Sequence, residues 1–231
     1  MASNEETPAA VPEQLYHTTL TVIDFHKDTS GSTRDVYVLG THTTLPAAKA
    51  FTLKAIETLG YSPGDFYTYK VRTASDSEDW PYGDGVLVYA KAPASQEFLV
   101  GIDTKPNTED LPNGPNNTPL LPRDYTHLHY VMQNKTDYNQ DSNNRDYQSS
   151  EIEGCYVHRA DAIDAAKALL AGDKTEFAQY DERDTNVEEG QWPFGDDVVV
   201  HAVAETGENY TVAVRTVPGA HEKYKKKSKA H

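Results

Sequence analysis

A string of six residues occurs twice in this chain, and this repeat limits the possible folds more than any other feature of the sequence. WPYGDG occupies residues 80–85 and WPFGDD occupies residues 192–197. Four further strings also occur twice in the same order: AAKA, F-x-x-Y-x-x-R, a valine-rich run, and a run that ends in T-x-P. Five matches in one unbroken order indicate an internal duplication. The sequence therefore predicts one structural unit present in two copies.

Each copy shows the same succession of two strands, one helix and two strands. The closing segments, residues 86–103 and 198–214, alternate with a period of two around a short turn, which is typical of a β-hairpin. One small sheet with one helix would be marginally stable alone, but two copies can cover each other. We therefore predict an α+β fold of two tandem ββαββ repeats, with antiparallel sheets that each pack one helix, in a pseudo-twofold arrangement.

The first helix has recognisable start and stop signals. Thr44 is a predicted N-cap, Pro46 suits the first turn, and Gly60 can end the helix. Its predicted buried stripe consists of Leu45, Ala48, Ala55 and Leu59.

A segment rich in proline and asparagine separates the two copies. Proline fixes φ and removes a donor, so this segment is predicted to be a linker or an extended strap. The predicted organisation is a disordered N-terminal tail, the first repeat, the linker, the second repeat and a basic disordered C-terminal tail, at residues 1–13, 14–106, 107–124, 125–218 and 219–231.

The charge distribution limits the classes of partner. The formal net charge is −15, but the last 11 residues hold five lysines and one glutamate, a net +4, so the remaining chain carries −19. An acidic body repels phosphate backbones, which argues against nucleic-acid binding by the folded part. The basic tail could contact an anionic partner or act as a weak nuclear-import signal; its lysines are Lys223, Lys225, Lys226, Lys227 and Lys229.

The chain has features of an intracellular protein. Cys155 is the single cysteine, which excludes an intramolecular disulfide. The first residues show neither a basic segment nor an apolar segment of a secretory signal, and no window approaches the about 20 apolar residues of a spanning helix. We predict a cytoplasmic location, with nuclear entry as an option, and no membrane association.

The repeated tryptophan string has a structural and a functional interpretation. Tryptophan can anchor a corner, proline can set its direction, glycine allows positive φ, and aspartate can accept backbone N–H groups. In this interpretation the string only positions the strand that follows it. The alternative is a binding surface, for which the candidate residues are Trp80, Tyr82, Tyr89, Trp192 and Phe194.

A catalytic hypothesis uses the charged residues of the same strings. If a pseudo-twofold axis brings Asp84 and Asp196 together, they would form a carboxylate pair with separated pKa values, as general acid and base catalysis requires. Arg72 and Arg183 would be their counter-ions, and His201 is a further candidate.

Other kinds of site have weaker support. His127 and His129 could chelate a divalent ion from one side of a strand, although structural histidines explain the pattern better. The sequence contains no HExxH motif, paired cysteines, G-x-S-x-G elbow, P-loop or G-x-G-x-x-G turn. We therefore predict no cofactor and no metal site.

In these repeated strings the chain resembles a group of uncharacterised two-repeat intracellular proteins of filamentous ascomycete fungi. The resemblance rests on the helix, the WP[F/Y]G[D/E] corner and the closing hairpin, and it covers nearly everything between the two tails. It implies an intracellular fungal origin and carries no activity.

Three functions are compatible with the sequence. The leading hypothesis is a non-enzymatic binding or interaction protein whose groove or interface takes a protein or a small ligand. The second is an enzyme that uses acid and base carboxylates in the cleft between the repeats. The third is a self-assembling or storage protein, which would form homo-oligomers.

Overall fold

A computed structural model describes residues 10–31, 33–73, 80–138, 148–184 and 192–219 of the chain. Within these ranges the chain forms ten strands and three α-helices. In chain order they are β1 (Gln14–Ile23), β2 (Arg34–His42), α1 (Leu45–Thr52), α2 (Ala55–Thr58), β3 (Thr68–Val71), β4 (Val86–Lys91), β5 (Glu97–Pro106), β6 (His129–Asp137), β7 (Gln148–Tyr156), α3 (Arg159–Leu169), β8 (Phe177–Glu182), β9 (Val198–Ala204) and β10 (Glu208–Arg215).

The strands form two five-stranded antiparallel sheets with the same topology. The first sheet has the order β2-β1-β5-β4-β3, and the second has the order β7-β6-β10-β9-β8. The predicted α+β class and the two similar halves are confirmed. Each half has five strands, one more than predicted, because the F-x-x-Y-x-x-R string forms the edge strand β3 or β8; the first half is ββααβββ and the second is ββαβββ.

Each sheet packs its helices on the outer face. α1 and α2 cover a core that includes Leu20, Val88 and Val100, and α3 covers the equivalent core of the second half. Alanines on the buried sides of the helices allow this close packing, since Ala48, Ala55, Ala162 and Ala166 are almost completely buried.

The first helix begins as predicted but does not continue as one helix. The Thr44 side chain accepts a hydrogen bond from the Ala47 N–H group at 3.4 Å, as an N-cap does. α1 ends at Thr52, before the four-residue α2 begins at Ala55. Of the predicted stripe, Ala48 and Ala55 are buried, whereas Leu45 is 37% exposed and Leu59, which follows α2, is 40% exposed.

The inner faces of the two sheets pack against each other. Leu15 and Val38 of the first half share one buried cluster with Tyr130, Met132 and Ile152 of the second half. Among the described residues the order of layers is therefore helix, sheet, sheet, helix. Each half buries the apolar face that the other would leave exposed to water.

Contacts between the halves occur in equivalent pairs. On one side, the Ile152 N–H group of β7 donates to the Asp103 carboxylate of β5 at 3.4 Å. On the other side, Arg215 of β10 donates to the Val36 carbonyl of β2 at 2.9 Å, and within its own half it ion-pairs with Asp197 at 2.5 Å. The strand pairs β5/β7 and β10/β2 are equivalent in the two repeats, as the predicted pseudo-twofold arrangement requires.

The segment between the halves packs onto the first half as an extended strap. Asn107 is buried and donates to the carbonyls of Pro12 and Leu111, at 2.8 and 3.0 Å. Leu111 inserts into the core between the sheets, and the Thr43 N–H group donates to the Asn117 carbonyl at 2.8 Å. Of the predicted tails at residues 1–13 and 219–231, residues 1–9 and 220–231 lie outside the described residues, whereas the carbonyls of Ala10, Pro12 and Glu13 accept hydrogen bonds from the strap. Within the described ranges no helix has the length and apolar character needed to cross a membrane.

Candidate functional site

The first tryptophan corner folds back over the inner face of its sheet. The Trp80 ring packs edge-on against Tyr82 at 4.9 Å between centroids, and Tyr82 stacks on Tyr89 of β4 at 3.9 Å and 13°. Gly83 makes the turn at φ 107°, a conformation that favours glycine. The corner therefore covers part of the inner face of its own sheet at β4.

The second corner repeats this geometry with different residues. Trp192 packs edge-on against Phe194 at 5.0 Å, and Phe194 stacks on His201 of β9 at 3.8 Å and 11°. Gly195 has φ 114°. Both indoles are half-buried.

An arginine holds each corner through the main chain. The guanidinium of Arg72 donates to the backbone carbonyl of Asp84, and that of Arg183 donates to the backbone carbonyl of Asp196. The Asp84 carboxylate projects into water and lies 3.9 Å from Arg72. The aspartates therefore contribute their carbonyl oxygens to the corner rather than side-chain acceptors for backbone N–H groups.

The structure does not bring Asp84 and Asp196 together. Among the described residues, Asp84 pairs within its own half, whereas Asp196 lines a cavity of about 260 Å³ beside Arg159 and Arg183 of the second half. No hydrogen bond or ion pair between the described residues joins the two aspartates. This geometry gives no carboxylate pair at the positions named from the sequence.

His201 has polar contacts on both ring nitrogens. Its Nδ1 atom lies 3.5 Å from the Asp181 carboxylate, and its Nε2 atom lies 3.3 Å from the Asn209 side-chain oxygen. The ring is 8% exposed and is covered by Phe194. His201 is therefore a buried link between β8, β9 and β10.

The two metal candidates lie next to each other. The rings of His127 and His129 are 5.0 Å apart between centroids and meet edge to face. Within the part of the chain that the structure describes, no group of three or more His, Cys, Asp or Glu side chains is arranged to hold a metal ion.

The largest cavity described lies between the two halves and has a volume of about 640 Å³. It forms where the inner faces change from apolar to polar side chains: β1 contributes Thr19 and Thr21, and β7 contributes Ser150. Its charged residues are Arg34, Asp103, Lys105 and Glu151. Two cations and two carboxylates thus line one solvent-connected space.

One side-chain amide fixes an end of this cavity. Gln148 of β7 accepts from the Arg34 N–H group and donates to the Arg34 carbonyl, both at 3.0 Å. These two bonds occupy the N–H and carbonyl groups of one residue at the free edge of β2, as a neighbouring strand would. Because the amide links the edges of β2 and β7, it determines how far the halves separate at this point.

The carboxylates beside the cavity have shifted ionisation. Burial raises the pKa of Asp103, and the nearby Glu151 charge adds to the increase, whereas Lys105 and the N–H group of Ile152 oppose it. Burial also raises the pKa of Glu153, close to the same charges. Lys105 lies 3.9 Å from the Asp103 carboxylate and partly balances its charge.

Sequence reasoning did not identify Asp103, Lys105 or Glu151. A signal was present, because Asp103 and Lys105 occupy positions where the second copy of the same string has Arg215 and Val217. Charged residues that differ between two otherwise similar strands could have indicated a role outside the shared scaffold.

Comparison of the sequence with protein-family models and with curated proteins gave no match, and comparison of the structure with solved structures gave none either. The resemblance to fungal two-repeat proteins therefore stays a prediction.

Proposed function

We propose that this chain is a non-enzymatic binding protein that holds a small polar ligand in the cavity between its halves. The observation that carries the proposal is the 640 Å³ volume of this cavity. Ligand sites in proteins have volumes of roughly 300–1,000 Å³ and often lie between structural units. The cavity is therefore large enough for a metabolite-sized molecule.

The lining indicates the chemistry of the ligand. Arg34 and Lys105 can bind acidic groups, and Asp103 and Glu151 can bind basic groups or hydroxyls. The hydroxyls of Thr19, Thr21 and Ser150 add neutral donors and acceptors at the same surface. A small molecule with balanced charge or many hydroxyl groups matches this set better than an apolar one.

The first test is to identify what the purified protein carries. We expect denaturation of the full-length protein, followed by mass spectrometry of the released small molecules, to recover a polar compound in stoichiometric amount. Adding that compound back should raise the melting temperature, because a ligand that binds only the folded state stabilises it.

A matched pair of variants locates the site. Lys105→Met removes a cation of the cavity and should weaken binding at least about tenfold. Lys135→Met removes a partly exposed lysine that pairs with Glu208 outside the cavity, and should leave binding unchanged. Equal effects of the two substitutions would contradict the proposed location.

An enzymatic alternative is favoured by the raised pKa of Asp103. A carboxyl group in a cleft, with its pKa moved towards neutrality by burial, can serve as a general acid or base. If the protein converts the recovered compound into a product, Asp103→Asn should abolish this turnover, whereas the compound should still bind. Persistent turnover in this variant would exclude Asp103 as the acid or base.

We also propose a cytoplasmic location, with nuclear entry through the lysine-rich residues 223–229. The single cysteine and the absence of a spanning helix in the described ranges support the proposal. The acidic charge of the body supports partners other than nucleic acids.

A further inference from the structure

A second cavity, of about 290 Å³, lies on the inner face of the first half between the tryptophan corner and the loop that joins β1 to β2. Its walls include the aromatic rings of Phe25, Tyr82 and Tyr89. Gly31 allows the loop to approach closely, since a Cβ atom there would lie 2.5 Å from the Phe25 ring. The cavity is therefore bounded by closely packed rings.

The floor of this cavity carries a row of charged side chains. Ile23 of β1 is paired with Arg34 on one side and with Glu97 on the other, and Glu97 is paired with Lys91. Residues paired across neighbouring strands share a face of the sheet, so Arg34 and Glu97 flank the same apolar residue. Two strand spacings place their backbones about 10 Å apart, which allows both side chains to reach one small molecule.

Glu97 is held in position inside the protein. Its side chain is 8% exposed, and its carboxylate lies 3.3 Å from the Lys91 ammonium group. Burying a carboxylate costs free energy unless charged or hydrogen-bonding groups compensate. Lys91, whose ammonium group lies 5.9 Å from the centre of the Phe25 ring, uses one oxygen of this carboxylate. The other oxygen is suited to a ligand ammonium group, which also interacts favourably with ring faces.

The second half lacks this combination. Its equivalent row consists of Gln148, Thr136, Asn209 and Val203, and Phe194 covers His201 where Tyr82 covers Tyr89. The charged row is therefore not a requirement of the shared fold.

We propose that the cavity lined by Phe25, Tyr82 and Tyr89 binds a free α-amino acid with an aromatic side chain. Arg34 binds the carboxylate of the ligand, Glu97 binds its ammonium group, and the three rings enclose its side chain. The volume is at the lower end for ligand sites, as expected for a molecule of this size. Arg34 lines both this cavity and the larger one between the halves, but the proposal does not require a ligand in the larger cavity.

Isothermal titration calorimetry of the full-length protein with L-phenylalanine tests the proposal. N-acetyl-L-phenylalanine lacks the ammonium group, phenethylamine lacks the carboxylate, and glycine lacks the ring. We expect L-phenylalanine to bind and each analogue to bind at least about tenfold more weakly, because each loses one anchoring contact. Absence of L-phenylalanine binding at millimolar concentration would overturn the proposal.

Two variants assign the contacts. Glu97→Gln keeps the shape of the side chain and should weaken L-phenylalanine binding at least about tenfold, without further weakening the N-acetyl analogue. Tyr82→Ala should also weaken binding, whereas the equivalent Phe194→Ala should not. Unchanged binding in Glu97→Gln, or equal losses in the two corner variants, would refute the assignment.

Circular dichroism and melting temperature would show that Glu97→Gln is folded. Lys135→Met removes a lysine that lines neither cavity and should leave L-phenylalanine binding unchanged. Loss of L-phenylalanine binding in Lys135→Met would contradict the assignment of binding to the contacts of this cavity.

Discussion

The stability of this protein should depend on pH through His17, which lies in the core between the halves. The imidazole is fully buried, and its Nδ1 atom lies 2.9 Å from the Thr41 hydroxyl, which lies 2.8 Å from the Tyr130 hydroxyl. On β5, Asp103 is its cross-strand neighbour, and the Lys105 charge acts on it. Burial, with a smaller contribution from Lys105, lowers the pKa of His17 to about 4.

The direction and size of the effect follow from proton linkage. In the unfolded chain His17 has its ordinary pKa of 6.5, so between pH 6.5 and pH 4 the proton binds mainly to the unfolded state. The free energy of unfolding therefore falls as the pH is lowered through this range. One pKa unit corresponds to about 1.4 kcal/mol, which gives a loss of about 2 kcal/mol at pH 5 and about 3 kcal/mol at pH 4.

Urea unfolding at pH 7.5 and pH 5, followed by circular dichroism, measures the loss. His17→Asn removes the titrating group and keeps a polar atom near the Thr41 hydroxyl. Between pH 7.5 and pH 5 the free energy of unfolding of this variant should therefore fall by about 2 kcal/mol less than that of the wild type. His26→Asn, at an exposed position, is the control and should behave as the wild type does. Equal pH dependence in the wild type and His17→Asn would refute the reasoning.

A second measurement is needed if His17→Asn does not fold. NMR titration of the histidine ring protons in the wild type reports the native pKa directly. A resonance of His17 that titrates near pH 6.5 would contradict the burial argument.

Three further predictions concern the buried thiol and the corners. Cys155 is 3% exposed, and burial raises its pKa to about 12; Ellman's reagent at pH 8 should therefore label the native protein at least about 100-fold more slowly than the guanidinium-unfolded chain. Arg72→Met should lower the free energy of unfolding by about 1–2 kcal/mol, since it leaves the Asp84 carbonyl without its charged donor. Asp84→Asn should leave urea stability within experimental error of the wild type, because its carboxylate lies in water; a larger loss than in Arg72→Met would show that the carboxylate supports the corner.

The sequence was informative where the local pattern determines the structure. The closing hairpins alternate with period two, and β4 pairs with β5 as β9 pairs with β10. The edge strand β3 has only four residues, none of them buried, so no alternation of buried and exposed positions marks it. Such a strand forms because β4 offers its free edge, and that condition is not visible in the local sequence.

The positions of the site residues depend on how the sheets meet. The shared core between the sheets draws its strand residues from β1, β2, β6 and β7, whereas the corners precede β4 and β9. Asp84 and Asp196 are therefore kept apart by the strands between them. Predicting the cavity between the halves required the inter-sheet contacts of Asp103, which the repeat pattern does not encode.

The two repeats agree in the residues that build the scaffold and differ in the residues that line the cavities. Arg72 and Arg183 bind equivalent carbonyls, and both corners stack an aromatic ring on the following strand. Asp103 is matched by Arg215, which is already bonded to Val36 and Asp197. The position equivalent to the cavity carboxylate is thus occupied by a residue that links the halves. A symmetric scaffold with asymmetric cavities is expected to bind each ligand once per chain, because only one copy supplies the required charges.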